Sequence, residues 1–372
     1  MLPYFVFFKN IVPLHAKDKE IMSKQKVIIS SNVQEDLKHI LAQTAYTGIF
    51  VLTDNATSRL CLPAVSEQLT GATVIEIQQG DENKNLDTLA GLWQLLAENG
   101  ANRKSLFINL GGGMITDLGG FAASTFKRGM AYINIPTTLL GAVDAAVGGK
   151  TGINFLGLKN EIGVINPADV VLIDTAFFKT LDRENLLSGF AEMLKHALIY
   201  HVEALQKVLA FSLTEIDYGK LRSLLASSVK IKEEIVTKDP TEQHIRKALN
   251  FGHTVGHALE SFSHEAGKPV LHGYAVAYGM ICELYLSHKK MQFPKEMLQQ
   301  ICRLIVNHYG YLQIGCKNYP RLYELMTHDK KNTSEAINFT LLGDVGDIRI
   351  NQTASEKEIF EALDFYRDCV GI

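Results

Sequence analysis

Four short β-rich runs, each closing on polar or glycine residues, punctuate the first third of the chain. KVIISS (26–31), IFVLTD (49–54), TVIEIQ (73–78) and SLFINLGGG (105–113) read as buried strands. Between them, VQEDLKHILAQT and LDTLAGLWQLLAENG carry apolar residues at helical spacing. Strands that alternate with helices are joined by crossovers rather than hairpins, so the pattern calls for a parallel sheet with helices on both faces. YINIPTT (132–138) and DVVLIDT (169–175) continue it. After about Leu181 the strand signal fades. ENLLSGFAEMLKHALIYHVEALQKVLAF, KLRSLLASSVKIKEEIVTK and the segment around His253 are helical, with FTLLGD and DIRINQ as one short hairpin. The expected fold class is α/β: an N-terminal parallel-sheet domain over residues 23–182, then a mainly α-helical domain over 183–372. No long linker separates them, so the two are expected to pack closely and leave a cleft.

Composition narrows the function classes. A chain of 372 residues, 47% hydrophobic and 21% charged, has ample material for two cores. A formal net charge of −3 gives no basis for nucleic acid or an anionic membrane as partner. The five cysteines (Cys61, Cys282, Cys302, Cys316, Cys369) are odd in number and form no C-x-x-C pair, which argues against a disulfide framework or a cysteine zinc site. The start, MLPYFVFFKNIVPLHAKDKE, has an apolar run of only Phe5 to Phe8 and no small-residue cleavage site, so residues 1–22 read as a disordered extension, not a signal peptide. No window approaches the roughly 18 apolar residues of a membrane span. The expected location is the cytoplasm.

Several motifs point to chemistry, each with a plainer reading beside it. GGGMITDLGGFAA (111–123) follows a strand and opens a helix, where bare backbone amides favour an anion such as a pyrophosphate; a tight turn without ligand is the plain alternative. Its spacing is not G-x-G-x-x-G. Asp54, at a strand end, suits a ribose hydroxyl or, taken alone, a helix cap. Lys150 and Lys159 lie in an otherwise small and apolar segment, framed by Gly148, Gly149 and Asn160, and point together to phosphate or carboxylate recognition. Glu192 and Lys195, three apart on an apolar helix, form either a structural ion pair or a zinc ligand with its neighbour. His253 and His257, four apart, share a helix face, and His272 begins the next helical run. Three histidines and one carboxylate in apolar surroundings favour zinc over satisfied core histidines. Spacing does not say which three of the four bind; taken alone it favours a set containing both His253 and His257.

Taken in order, GGGMITDLGGFAA, PTTLLGAVDAAVGGKTGIN, KNEIG, GFAEMLKHA, RKALNFGHTVGHALE, LHG and HDKK resemble the signature segments of the 3-dehydroquinate synthase family, from about residue 25 onward. The resemblance implies an NAD-binding α/β domain followed by a helical domain carrying a divalent metal, usually zinc, with cobalt able to use the same ligands. It implies Glu192, His253 and His272 as metal ligands, and moves His257 to the substrate's side. Cofactor contacts would come from Asp54, Asn55, Asp81, Lys84, Gly112, Gly113, Met114, Asp117, Thr137, Thr138, Asp144, Phe177, Phe178, Lys179 and Thr180, with Lys150 and Lys159 close by. Substrate groups would meet Asp144, Lys150, Lys159, Asn160, Lys195, Lys232, Arg246, Asn250 and His257. Lys330 of HDKK, or its neighbour Lys331, would meet phosphate. Arg128 matches an arginine that family homodimers supply to the partner's site.

The implied reaction turns 3-deoxy-D-arabino-heptulosonate 7-phosphate into 3-dehydroquinate and phosphate by transient oxidation, elimination, reduction and aldol closure. The implied partner is thus a small anionic sugar-acid phosphate, which the lysines and arginines would surround. Four departures stand out: Asp81 for a usual glutamate, Ala145 for a usual serine, NFLGLKN in place of a histidine–proline run, and Tyr274 after His272–Gly273. None removes a residue assigned to chemistry. Two other classes share this plan: sister cyclases of valiolone or inosose type, and metal-dependent polyol or glycerol-phosphate dehydrogenases. Lys150 and Lys159 favour the synthase over a dehydrogenase.

Overall fold

The computed structural model describes residues 25–156, 158–327 and 337–372. The chain first lays down β1 (Lys26–Ser30), α1 (Val33–Gln43), β2 (Ile49–Asp54), α2 (Asn55–Leu60), β3 (Thr73–Ile77), α3 (Leu86–Glu98), β4 (Leu106–Gly111), α4 (Gly113–Thr125) and β5 (Ala131–Pro136). It then leaves the sheet for an antiparallel hairpin, β6 (Lys150–Phe155) and β7 (Leu158–Ile165), and returns with β8 (Val170–Asp174). The six-stranded sheet has the order β1-β8-β5-β4-β2-β3, with every neighbouring pair parallel. β2 and β4 are buried along their whole length, which is why they read as continuous apolar runs. All six strands legible in the sequence are found, and the pair β9 (Asn338–Leu342) and β10 (Ile348–Thr353) forms the expected hairpin.

The winding positions the site. From β2 the chain moves outward to β3, and from β4 it moves the opposite way to β5. The reversal lies between β2 and β4, and a crevice beyond the carboxyl ends of strands at such a point is where open α/β sheets take ligands. Asp54 ends β2 there, and Gly111–Gly113 ends β4 and opens α4.

Helices follow: α5 (Arg183–Leu198), α6 (Val202–Leu209), α7 (Tyr218–Lys238), α8 (His253–Glu265), α9 (His272–Met291), α10 (Lys295–Tyr309), α11 (Tyr319–Thr327) and, after the β9–β10 hairpin, α12 (Glu356–Val370). Two glycines let three of them meet. A Cβ on Gly279 of α9 would lie 2.1 Å from the carbonyl oxygen of Gly252, just before α8, and one on Gly273 would lie 1.9 Å from that of Ser188 on α5. Only a residue without a side chain fits either contact, so the starts of α8 and α9 are drawn against the middle of α5. Among the described residues no helix is long and apolar enough to cross a membrane.

Candidate active site

Glu192 sits on the inner face of α5, fully buried. The Nε2 atoms of His253, at the start of α8, and of His272, at the start of α9, lie 3.4 and 3.6 Å from its Oε1. Lys195, one turn along α5 and equally buried, pairs with Oε2. Despite these neighbours neither Glu192 oxygen accepts an aligned hydrogen bond from a described residue, a costly state for a buried carboxylate. Both imidazoles are anchored from behind: Nδ1 of His253 lies 3.1 Å from the Phe251 carbonyl, and Nδ1 of His272 lies 3.1 Å from Glu260 Oε2. That leaves each Nε2 aimed at the carboxylate. Donors about 2.1 Å from a tetrahedral ion stand about 3.4 Å apart, so the set fits a divalent cation such as zinc or cobalt.

Protonation behaviour fits as well. Burial and then Lys195 hold His253 well below its usual range, hence neutral, the form that binds metal. Burial opposes charge on His272, but Glu260 and Glu192 outweigh it and push the imidazole up to about 10. A cation at Nε2 would take the place of that proton. His257 stands close by: one ligand atom from each of His253, His257 and His272 falls within a 4.8 Å cluster. The geometry therefore brings all four sequence candidates together.

Three lysines, drawn from both halves of the chain, each meet a carboxylate here. Lys232 of α7 pairs with the Asp144 carboxylate and also donates to its carbonyl. Burial opposes ionisation of Asp144, but Lys232 and Lys195 hold its carboxyl below the usual range. Lys159 donates to Glu260 at 2.7 Å and lies 3.4 Å from Asp81. Lys150 pairs with Glu242, whose other oxygen accepts from Asn250 Nδ2 at 2.7 Å. Arg246, buried, donates to the carbonyls of Pro240 at 2.6 Å and Gly148 at 3.2 Å. The loop carrying Glu242 and Arg246 is gathered by Asp239, which accepts from the amides of Gln243, His244 and Arg246. Glu283, buried on α9, accepts from the amides of Gly252 and Val255 and so fixes the start of α8.

Sequence reasoning singled out the cations and missed Glu242, Glu260, Asp239 and Glu283. A signal for Glu260 was present, a carboxylate three residues past His257 on an apolar helix face. His196 follows Lys195 on α5 and is fully buried. Its Nδ1 lies 2.7 Å from Ser228 Oγ, its buried Nε2 has no hydrogen-bond partner among the described residues, and it clusters with Asp144 and Glu192 within 4.8 Å. Burial, then Lys195, pulls it down to about 3, so it is neutral.

The cofactor candidates lie on the segments that end or follow β2, β3, β4, β5 and β8. Gly112 caps α4 without a side chain, leaving its first-turn amides open. A Cβ on Gly113 would lie 3.2 Å from that of Ala145, and one on Gly112 would lie 3.1 Å from Thr138 Cγ2. The glycine turn thus backs onto the segment that carries Asp144. The Thr138 hydroxyl accepts from the Gly141 amide at 3.0 Å, and the buried Thr137 amide donates to the Gly111 carbonyl at 2.9 Å. Met114 is half-buried against the core. Lys84, buried, bridges Asp117 and Asn160, and burial pushes the Asp117 carboxyl up. Asp54 plays the plainer part: its oxygens accept from the Thr57 amide at 2.8 Å and hydroxyl at 3.0 Å as the cap of α2. Asn55 accepts from the Gln79 amide at 3.1 Å. Phe177 and Phe178 are core side chains, Thr180 donates to the Phe177 carbonyl, and Lys179 lies 5.6 Å from the Tyr218 ring.

Lys330, with Lys331, lies outside the described residues, as do residues 1–22. Arg128 is exposed on the turn after α4. Of the departures, Asp81 accepts from Asn154 Nδ2 at 3.1 Å, and Tyr274 packs edge-on against Tyr309.

Family models described as 3-dehydroquinate synthase N-terminal and C-terminal match residues 74–188 and 189–332. The chain belongs to the 3-dehydroquinate synthase family. A 3-dehydroquinate synthase from Parabacteroides distasonis is 52% identical over 353 residues, covering 94% of this chain and all of that one. A 2-epi-5-epi-valiolone synthase from Streptomyces hygroscopicus, solved with NAD+ and Zn2+ bound, superposes with a TM-score of 0.81 at 23% identity, over 98% of this chain and 99% of that one. A 2-deoxy-scyllo-inosose synthase, complexed with carbaglucose-6-phosphate, NAD+ and Co2+, gives 0.80 at 23% identity, over 91% of this chain and 95% of that one. At that identity the two cyclases speak to the fold.

Proposed function

We propose that the chain acts as a 3-dehydroquinate synthase, a phosphorus–oxygen lyase of the shikimate pathway that converts 3-deoxy-D-arabino-heptulosonate 7-phosphate to 3-dehydroquinate and phosphate. It would use NAD and zinc, with cobalt able to substitute, and work as a cytoplasmic homodimer. One observation carries the reading. The buried Glu192, with two anchored imidazoles on one oxygen, lies beside Asp144, whose segment backs the open amide turn at the sheet reversal. A cation and a nicotinamide held at those two places share one cleft.

Glu192, His253 and His272 would hold the metal, and the α4 turn, Asp54, Asn55, Asp81, Thr137, Thr138 and the Phe177–Thr180 segment would hold NAD. When bound, NAD supplies a reversible hydride acceptor and the cation a Lewis acid toward substrate oxygens. The chain's own residues do the rest. Lys150, Lys159, Asn160, Arg246 and Asn250 ring the cleft with donors for the substrate's carboxylate and phosphate, and Lys330 and a partner's Arg128 are assigned to the same anion. Lys195 and Lys232 keep Glu192 and Asp144 ionised. His257 would donate to a substrate oxygen. Lys150 and Lys159 already hold carboxylates, so an incoming anion would take over Lys150 from Glu242 and Lys159 from Glu260 instead of meeting bare charge. That exchange favours a compact dianion over an extended polyanion.

The test is a turnover assay with zinc and NAD supplied. Stoichiometric phosphate release from the 3-deoxy heptulosonate phosphate, with no net change in the nicotinamide absorbance band, is expected. Accumulating NADH would mark a dehydrogenase. Turnover of sedoheptulose 7-phosphate but not the 3-deoxy acid would mark a sister cyclase.

A further inference from the structure

The reaction proposed above gives His196 no part, yet the fold sets it among residues that have one. Glu192, Lys195 and His196 stand at i, i+3 and i+4 on α5 and so share a helix face. A ring nitrogen of His196 lies within 4.8 Å of an oxygen of Glu192 and of an oxygen of Asp144. Two ion pairs, Glu192 with Lys195 and Asp144 with Lys232, thus border one neutral imidazole. Which of its nitrogens carries the proton decides what it can do, and α7 supplies the answer. Ser223 and Ser227 donate their hydroxyls back along α7, to the carbonyls of Gly219 and Ser223 at 3.3 and 3.2 Å. Ser228 does not. Its buried hydroxyl has His196 Nδ1, at 2.7 Å, as its sole acceptor among the described residues. A hydroxyl has one hydrogen to give, and given to Nδ1 it leaves the ring proton on Nε2. The groups on that side agree. Neither oxygen of Glu192 accepts an aligned hydrogen bond from a described residue, and Lys232 is already committed twice to Asp144. The cluster is short of donors, and Nε2 is a buried nitrogen with no hydrogen-bond partner among the described residues.

We propose that His196 is a positioning residue: Ser228 fixes its tautomer, and its Nε2–H is the donor that the carboxylates of Glu192 and Asp144 share, directly or through a bridging water. Each lysine pairs with only one of these carboxylates, so neither lysine sets their spacing. His196 does. It holds the carboxylate on the metal side and the carboxylate on the cofactor side at one separation, from behind and without touching substrate. Its effect on binding rests on the reading of Glu192 and Asp144 given above, whereas its tautomer does not.

The tautomer is read on the full wild-type chain, so this measurement does not depend on any variant folding well. Long-range proton–nitrogen spectra of the chain carrying isotopically labelled histidine, taken before and after zinc is added, are expected to show His196 protonated at Nε2 and bare at Nδ1. Its signals are assigned by their loss from His196→Gln. The second measurement compares two variants of like length and bulk. His196→Gln keeps an N–H near the place of Nε2, and His196→Met keeps none. His196→Gln is expected to hold zinc and NAD close to wild type. His196→Met is expected to lose about 10- to 100-fold in zinc affinity, read by chelator competition, and to raise KM for NAD. A packing role alone would leave the two variants alike. A ring protonated at Nδ1, which would make Nε2 an acceptor for a lysine, would overturn the inference. So would equal zinc and NAD affinity in the two variants. A wild type that binds neither zinc nor NAD would count against the proposed function, and the tautomer would still decide the role of Nε2.

Discussion

Glu260 shows how much of this site is built by residues that the chemistry does not name. It faces His272 Nδ1 with one oxygen and Lys159 with the other, so a single carboxylate orients a candidate metal ligand and a candidate substrate cation. Burial opposes its charge, yet His272 and Lys159 hold the carboxyl well below its usual range. Glu260→Gln is expected to weaken zinc binding by about 10- to 100-fold, read by chelator competition, with the fold retained. Asp239 is organising in a different way, through three backbone amides. Its carboxyl is lowered against the opposing effect of burial by those amides, so its folded pKa lies below the unfolded one. The stabilisation is whole above the ordinary carboxylate range and is lost as pH falls through the folded value. Asp239→Asn should therefore cost about 1–3 kcal/mol at pH 7. The difference from wild type should shrink as pH drops below about 4, read by urea unfolding at both pH values.

At the scale of elements, the contact between α8 and α9 carries the site. Gly279→Ala would place a methyl group 2.1 Å from backbone that cannot rotate away. A cost of about 1–3 kcal/mol is expected, read as a lower melting temperature, with a larger proportional loss of zinc affinity as His253 and His272 separate. The six sheet strands were legible because each is a short β-rich run flanked by turn residues, and the helices because their apolar spacing is regular. The β6–β7 hairpin was not. Gly152 and Gly163 face each other across it, Asn160 takes a φ of 51°, and its polar residues belong to the cleft, so neither period shows. The cations were legible as charges in apolar sequence. Their carboxylate partners were not, since Lys150 meets Glu242 across 92 residues and Lys159 meets Glu260 across 101. Asp54 illustrates the reverse: its strand-end position suited both a cap and a ribose contact, and the structure shows the cap in place.

Seen whole, the molecule sets a sheet-end crevice from its first half against an acid–imidazole cluster from its second, with the segment of Asp144 and Ala145 next to both. Ligands of the two places should therefore stabilise it separately. Zinc or NAD at a hundredfold excess over its dissociation constant is expected to add about 2.7 kcal/mol, visible as a higher melting temperature. Glu192→Ala should abolish the zinc response and keep the NAD response. The central claim is that Glu192, and not His257, completes the metal set with His253 and His272. Elemental analysis of zinc in dialysed wild type, Glu192→Ala and His257→Ala proteins tests it most directly. The expected result is about one zinc per chain in the wild type and in His257→Ala, and none in Glu192→Ala. Zinc retained by Glu192→Ala and lost from His257→Ala would contradict it and assign the ion to the three histidines.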